Sequence, residues 1–387
     1  MTDTPNMSAH SAVAAIPTAE RAPEVRSSEG SVTVDRPKPT PQPVSDVRYA
    51  GAASTPAAPL QDEPAFIVGA ERSGTTLLRL MLGGHEKLSV LSEFEYVVDP
   101  LTEPHMFRTA RQIQQSVGQP LPSADVLRDA VAKDWIFASH GFTCDPHLDY
   151  RNLANSFLHQ AKMRADNQDG QILAMVHRCI DQLPRLWPWA RYIHIVRDPR
   201  DVARSCIGMG WSGNVYHGVT RWIHVERQWA ELRAALPIGR FMEVRQEELI
   251  LNPRKTLERI CEFLGVEWSD GLLSYQNTTT YDAPDPRLVE QWRRKLTAKE
   301  IGLVEGRVGS LLPARGYQPS GHPPIKPGPF QRLALRLNDR RGRIAFRWKS
   351  LGLPLWATDV ISRKFKLTGL QRHIEPKLLE ARNRLLK

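Results

Sequence analysis

The chain has 387 residues, 41% of them hydrophobic, which is enough for one large domain or two ordinary ones with a sizeable core. Its four cysteines include no C-x-x-C pair, which argues against a zinc ribbon and against a disulfide framework. No apolar run reaches the ~18 residues of a membrane-spanning helix, and no N-terminal apolar segment resembles a secretory signal, so the sequence predicts a cytoplasmic protein.

The net charge of +10 is concentrated in one part of the chain. Residues 321–387 contain sixteen Lys or Arg and four Asp or Glu, a balance of +12. Residues 1–320 contain 36 basic and 38 acidic residues, a balance of −2. The charge of the whole chain therefore carries no information about a functional site in residues 1–320.

The first predicted unit is an N-terminal arm, residues 1–60, that is rich in Pro, Ala, Ser and Thr. Alternating prolines in residues 37–43 favour an extended, solvated backbone. With so few large apolar residues, the arm cannot offset the entropy cost of becoming ordered. We therefore predict that it is disordered.

The second predicted unit, residues 61–320, alternates short apolar runs with helical patterns. Strands are predicted at four places: 64–70, 171–177, 191–196 and 240–245. A helix is predicted after the last of them, with Asn252 as its N-cap, Pro253 in its first turn and Gly265 at its end. The alternation predicts an α/β fold with a P-loop-like, doubly wound, mainly parallel sheet flanked by helices.

The third predicted unit is a basic helical tail, residues 321–387. Its apolar residues recur at helical spacing among many arginines, which leaves two interpretations open. The helices pack on the domain with a solvated basic face, or they attach peripherally to an anionic membrane surface. Nucleic acid is not an expected partner, because no known reader motif is present.

Residues 66–76 read FIVGAERSGTT, which is close to the phosphate-binding template G-x-x-x-x-G-K-[ST]. Gly69 and Gly74 keep the glycine spacing, but Thr75 stands where the lysine belongs. Successive backbone N–H groups and the following helix dipole can still hold an anion, and the Arg72 guanidinium suits two oxygens of a phosphate or sulfate. The missing lysine argues against γ-phosphoryl transfer.

A second motif follows the third predicted strand, in the sequence YIHIVRDPRDVARS. Arg197 stands at the carboxyl end of the strand, and Ser205 stands eight residues later in the next helix. A cation that leaves a strand and a hydroxyl two turns into a helix can converge on one further phosphate. The two motifs together thus predict a ligand that carries two separate phosphate groups.

The two motifs, in this order, resemble the 5′-phosphosulfate loop and the 3′-phosphate motif of PAPS-dependent sulfotransferases. The resemblance covers residues 64–318 and is closest to the branch of tyrosylprotein and many bacterial sulfotransferases. It implies PAPS (3′-phosphoadenylyl sulfate) as co-substrate, PAP as product and no metal. It also implies a donor site made by Arg72, Ser73, Gly74, Thr75, Thr76, Arg197 and Ser205.

The resemblance further implies the residues that act on the acceptor. Glu93 stands 21 residues after Arg72, where this branch has its catalytic glutamate, and is the predicted general base, with Glu95 as the nearest rival. Arg72 is predicted to stabilise charge on the leaving oxygen. His177 and Arg178 are candidates for a second catalytic cation.

Two alternatives to sulfuryl transfer remain open from the sequence. One is a P-loop kinase or NTPase, in which Asp198 would bind magnesium. The other is a non-catalytic nucleotide-binding adaptor that attaches to a membrane by its tail. For the enzyme, the acceptor is expected to be a small molecule or the hydroxyl of a lipid or glycolipid, and a soluble metabolite, a glycoside or a peptide tyrosine also fits.

Overall fold

A computed structural model of the chain describes residues 63–102, 119–165, 168–277, 279 and 281–386. The predicted disordered arm, residues 1–60, lies outside these residues. Among the helices in the described ranges, none is both long enough and apolar enough to cross a bilayer.

Five parallel strands form one sheet, with the bounds β1 Ala65–Val68, β2 Leu88–Leu91, β3 Gln171–Val176, β4 Arg191–Val196 and β5 Phe241–Arg245. Their order across the sheet is β2-β3-β1-β4-β5. β1 lies at the centre, and its Ala65 is paired with Leu173 on one side and Arg191 on the other. The predicted parallel α/β fold is confirmed, and β2 is an additional strand that the sequence analysis did not identify.

Helices cover both faces of the sheet. Those before β5 are α1 Thr75–Gly83, α2 Ala124–Val131, α3 Trp135–His140, α4 Tyr150–Arg164, α5 Leu183–Leu186, α6 Pro199–Gly208, α7 Val215–Gly218 and α8 Thr220–Ala235. Those after β5 are α9 Gln246–Leu251, α10 Pro253–Leu264, α11 Trp292–Lys295, α12 Ala298–Val308, α13 Leu311–Ala314, α14 Pro329–Leu351, α15 Leu353–Lys364 and α16 Thr368–Leu386.

The core lies in two layers, one on each face of the sheet. Successive side chains of a strand point to opposite faces, so Ile67 packs with α1, α9 and α10 while Phe66 packs with α4, α6 and α8. Both side chains are fully buried. This two-sided burial explains why the strands read as continuous apolar runs rather than as an alternating pattern.

The predicted helix, α10, begins at Pro253 and ends before Gly265, as predicted, and the short helix α9 lies between it and β5. The predicted cap at Asn252 differs in detail, because its side chain accepts no hydrogen bond from the helix. Its backbone carbonyl instead accepts hydrogen bonds from the amide and the hydroxyl of Thr256. The proline at the first helical position and the glycine after the last therefore set the bounds of this helix.

The last three helices form a C-terminal helical segment, residues 329–386, that contacts the rest of the protein. Within α14, the Asp339 carboxylate accepts a hydrogen bond of 2.7 Å from the Gly213 amide. The side-chain amide of Asn214 donates to the Leu335 carbonyl at 2.8 Å. α14 is thereby fixed on the loop between α6 and α7.

Candidate active site

The candidate site lies at the carboxyl edge of the sheet. Because all five strands are parallel, the loops that follow β1, β2, β3 and β4 meet at this edge. They contribute the glycine loop 69–74, the acidic segment 93–95, His177 with Arg178, and Arg197. Residues separated by more than a hundred positions in the sequence therefore share one site.

The glycine loop is packed closely against its neighbours. A Cβ atom on Gly69 would lie 2.3 Å from the Ile195 carbonyl oxygen, and one on Gly74 would lie 2.6 Å from Cγ of Gln246. Gly74 also has a φ of +93°, which disfavours any residue with a side chain. The loop thus needs glycine at both positions to bring its backbone to the start of α1.

Arg72 is held in an uncommon conformation within this loop. Its φ of +71° places a bulky residue in the left-handed region, which costs about 1–3 kcal/mol. The side chain turns towards α6, where its Nε donates a hydrogen bond of 2.9 Å to Oγ of Ser205. Such strain is frequent at ligand-binding sites.

Arg197 completes this cluster from the end of β4. Its Nη1 donates to the Arg72 carbonyl at 3.2 Å, and its Nη2 donates to the Leu288 carbonyl at 3.2 Å. The structure therefore brings together the three residues Arg72, Arg197 and Ser205, which the sequence assigned to one ligand. We call them the donor cluster.

The donor cluster has features that fit an anionic ligand. Among the described residues, neither Oγ of the fully buried Ser73 nor Nε of Arg197 has a hydrogen-bond partner. Burial, together with the positive charge of Arg197, lowers the pKa of Arg72. A bound phosphate would accept the unused hydrogen bonds and favour both cations. The first amides of α1, where Thr75 and Thr76 lie, add N–H groups that have no partner within the helix.

A cavity of about 530 Å³ lies beside the donor cluster, a volume typical of small-molecule sites. The half-buried Glu93 lines it. The aromatic rings of Trp135 and Trp211 line it as well, together with the side chains of Arg178 and Arg221. The predicted general base thus faces a pocket large enough for an acceptor.

Glu95, the rival base, lies deeper than Glu93. Its side chain is 1% exposed, and its Oε1 accepts a hydrogen bond of 2.8 Å from the His177 amide. Burial raises its pKa, against the opposing effect of His177 and Arg178. Glu95 thus holds the chain that leaves β3, and it also lines the cavity together with Glu93.

The two candidates for a second cation are both placed at the cavity. Nδ1 of His177 lies 3.0 Å from the Gly69 carbonyl oxygen, a contact that ties it to the glycine loop. Arg178 donates from Nε and Nη2 to the Asp99 carboxylate, with distances between 2.5 and 3.1 Å. Both side chains thus have defined positions in the cavity that Glu93 also lines.

Two ion pairs at the site were not predicted. The first joins Arg178 to Asp99, which lie 79 positions apart in the sequence. The second joins Glu71 to Arg221, which lie 150 positions apart. Arg221 also lies over the Trp211 ring, 5.3 Å from its centroid. The only local signal was the acidic Glu71 inside an anion-binding loop, whose own charge requires a nearby cation.

Asp198, the residue that the kinase alternative requires, has structural partners. Its carboxylate accepts three hydrogen bonds from Arg200, of 2.6 to 2.9 Å, one of them from the backbone amide at the start of α6. Its own amide donates to Glu247 at 2.9 Å. Asp198 is therefore the N-cap of α6 and one partner of a buried ion pair with Arg200.

The sequence was compared with known proteins. A model of the "Sulfotransferase family" matches residues 64–270. A protein-tyrosine sulfotransferase of Drosophila melanogaster is 23% identical over 283 residues, which are 67% of this chain and 52% of that protein. Protein-tyrosine sulfotransferase 2 of Gallus gallus is 24% identical over 287 residues, 67% of this chain and 70% of that protein. The chain thus spans about half of the fly relative and more of the chicken one.

A bacterial relative matches a shorter part of the chain. The omega-hydroxy-beta-dihydromenaquinone-9 sulfotransferase Stf3 of Mycobacterium tuberculosis is 27% identical over 151 residues. These residues make up 36% of this chain and 38% of the bacterial protein. The names of the relatives therefore include both protein tyrosine and a hydroxylated dihydromenaquinone.

Proposed function

Because the chain belongs to the sulfotransferase family, we propose that it transfers the sulfuryl group of PAPS to an acceptor hydroxyl and releases PAP. The observation that carries the choice of donor is the donor cluster. It combines two cations, a hydroxyl and unused buried hydrogen-bonding groups next to a helix N-terminus. In this proposal Arg197 and Ser205 hold the 3′-phosphate, and Ser73 and Gly74 border the 5′-phosphosulfate.

PAPS supplies the sulfuryl group, and the protein supplies the charges around the reaction. The acceptor oxygen forms a bond to sulfur while the bond from sulfur to the phosphate oxygen breaks, and the hydroxyl proton passes to Glu93. The leaving phosphate oxygen gains negative charge, which Arg72, Thr75 and Thr76 stabilise. Arg178 and His177 are the candidates for the second cation, since both line the cavity and each is oriented by a neighbour, Asp99 for Arg178 and Gly69 for His177.

We propose a small-molecule or lipid acceptor for this chain. The cavity beside Glu93 has the volume of a small-molecule site, and aromatic rings line it. We further propose that the protein is cytoplasmic and contacts anionic membranes through its C-terminal helical segment. The support is the basic charge of residues 321–387 and the apolar side chains that this segment exposes.

The donor assignment predicts that PAP stabilises the protein without metal. At 100 times its dissociation constant, PAP should add ~2.7 kcal/mol to the free energy of unfolding and raise Tm by about 5 °C. Arg197→Ala should abolish the shift, whereas Arg254→Ala, which removes an exposed arginine on α10, should preserve it. Stabilisation only by ATP with magnesium would contradict the PAPS assignment and favour the kinase alternative.

The purified protein also serves to test Glu93 as the general base. Glu93→Gln should keep the PAP shift but slow label transfer from PAPS to 2-naphthol by about 10²–10⁴-fold. Glu258→Gln, a half-exposed carboxylate on α10, is the matched control and should transfer at the wild-type rate. Equal rates for Glu93→Gln and wild type would remove Glu93 from the mechanism.

A further inference from the structure

The C-terminal helical segment forms one part of the lining of the cavity that contains Glu93. Phe346, Arg347 and Leu351 of α14 line this cavity, as do Arg363 of α15 and Leu378 of α16. All three helices of the segment therefore face the candidate acceptor site. We call these five side chains the roof.

Close contacts between α14 and the glycines of the loop between α6 and α7 hold the roof in place. A Cβ atom on Gly210 would lie 2.1 Å from Cδ1 of the Phe346 ring, and a Cβ atom on Gly213 would lie 2.4 Å from the Asp339 carbonyl oxygen. Asp339 is 7% exposed and holds the Gly213 amide. Contacts this close leave no room for another side chain, so the loop and α14 form one packed unit.

The cavity has three chemically distinct regions. Glu93 comes from the loop that follows β2, and the rings of Trp135 and Trp211 form the aromatic part of the walls. The roof contributes Arg347 and Arg363, which both bind the carboxylate of Asp359 at 2.7 and 2.6 Å. One carboxylate cannot neutralise two guanidinium groups, so one positive charge of this trio is left over.

The other arginines of the cavity are already matched one to one. Arg178 pairs with Asp99, and Arg221 pairs with Glu71. Asp359, in contrast, is 1% exposed and serves two cations, each with a side chain that is at least half exposed. The Asp359 trio therefore leaves one excess positive charge at the roof, in the cavity that Glu93 also lines.

We propose that the C-terminal helical segment is the acceptor-binding element and that the acceptor is a small amphiphile with an acidic group. Its hydroxyl would meet Glu93, its aromatic or aliphatic body would contact Trp211, Phe346 and Leu378, and its acidic group would bind Arg347 and Arg363. This inference rests on the proposed function, because it takes Glu93 as the base.

Two dyes test the proposal without a known acceptor. Anilinonaphthalene sulfonate has an aromatic body and an acidic group, and N-phenyl-1-naphthylamine has the same body without the acid. Fluorescence titration of the full chain, saturated with PAP, should show that the wild type binds the sulfonate dye about tenfold more tightly than the neutral dye.

Single substitutions locate the binding. Phe346→Ala should weaken both dyes about tenfold, because it removes a wall of the cavity. Arg363→Gln or Arg347→Gln should weaken only the sulfonate dye, by about fivefold. Phe330→Ala is the matched control for Phe346→Ala, since this ring lies on the same helix but is 89% exposed and does not line the cavity.

The outcomes separate the two proposals. Loss of dye binding in Phe330→Ala but not in Phe346→Ala would place the dyes on the outer surface and overturn the inference. Equal affinity of the wild type for both dyes would contradict the inference that the acceptor carries an acidic group. A PAP shift in Phe346→Ala shows that the variant is folded, and absence of that shift in the wild type would count against the donor proposal alone.

Discussion

Asp201 in the first turn of α6 shows how the crowded charges of the site affect a single residue. Its Oδ1 accepts a hydrogen bond of 2.7 Å from the Trp292 amide. Its Oδ2 has no partner among the described residues. Burial, with the neighbouring charges of Asp198 and Glu247, raises the pKa of Asp201 from 3.8 to about 6, although Arg197 opposes this effect.

This shift predicts a pH-dependent gain from Asp201→Asn, which keeps an oxygen for Trp292 and removes the charge. The folded chain holds the proton of Asp201 more tightly than the unfolded chain, so the resulting stabilisation is complete below pH 3.8 and is lost as the pH rises through 6. At pH 8 the variant should therefore be more stable than the wild type, by at most about 3 kcal/mol. At pH 4 most of this gain should be gone, with about 0.5 kcal/mol left.

Urea unfolding at both pH values measures this difference. Asp129→Asn changes an exposed carboxylate on α2 and serves as the control, with little change expected at either pH. A gain of the same size at pH 4 and pH 8 would mean that Asp201 does not hold its proton in the folded chain.

The site residues show what sequence patterns can and cannot predict. Arg72, Arg197 and Ser205 were found because each lies at a fixed distance from a strand or glycine signal, and parallel strands bring such positions together. Their placement agrees with that expectation, while their roles stay predictions. The pairs Arg178–Asp99 and Glu71–Arg221 could not be found, because only the folded chain decides which distant charges become neighbours.

At the scale of elements, four strands were predicted from their apolar runs, and β2, which is less buried than β1, was missed. β2 has only four residues, LSVL, two of which are partly exposed, so its pattern does not differ from that of a loop. Pairing with β3 makes it a strand. The tail was predicted to be helical and amphipathic, but its sequence did not reveal that one side of it lines the cavity.

The contact between α14 and the loop before α7 predicts that Gly213→Ala displaces α14. The new methyl group would meet the Asp339 backbone, which cannot move as a flexible side-chain end does. Trypsin should then cleave within the arginine-rich α14 about tenfold faster than in the wild type, because local opening exposes the backbone.

Gly208→Ala is the matched control for this experiment. It lies at the end of α6, where an added Cβ atom would meet nothing within 4 Å, and its cleavage rate should equal that of the wild type. Unchanged cleavage in Gly213→Ala would show that the loop does not hold α14 in place.

At the scale of the whole molecule, the C-terminal helical segment has a second, outward side. Phe330, Leu333, Leu337 and Trp348 of α14 are each at least half exposed, and they recur at helical spacing. Arginines flank them along the same helix. An apolar row between basic side chains is typical of helices that lie at the surface of an anionic membrane.

The full chain should accordingly co-sediment with vesicles that contain phosphatidylglycerol and not with pure phosphatidylcholine vesicles. Leu333→Glu should weaken this binding about tenfold, since it places a charged group in the apolar row. Leu251→Glu is closely matched in exposure, 52% against 53%, but lies at the end of α9 and should have little effect. Equal binding of both variants would exclude α14 as the contact.

The donor cluster and the roofed cavity have a kinetic consequence. None of Arg72, Arg197 and Ser205 is among the described residues that line the cavity. Each ligand can therefore bind while the other is absent, and the two meet only where the glycine loop borders both sites. Reciprocal plots of initial velocity at several fixed concentrations of the second substrate should intersect, as expected for a ternary complex rather than a sulfated enzyme.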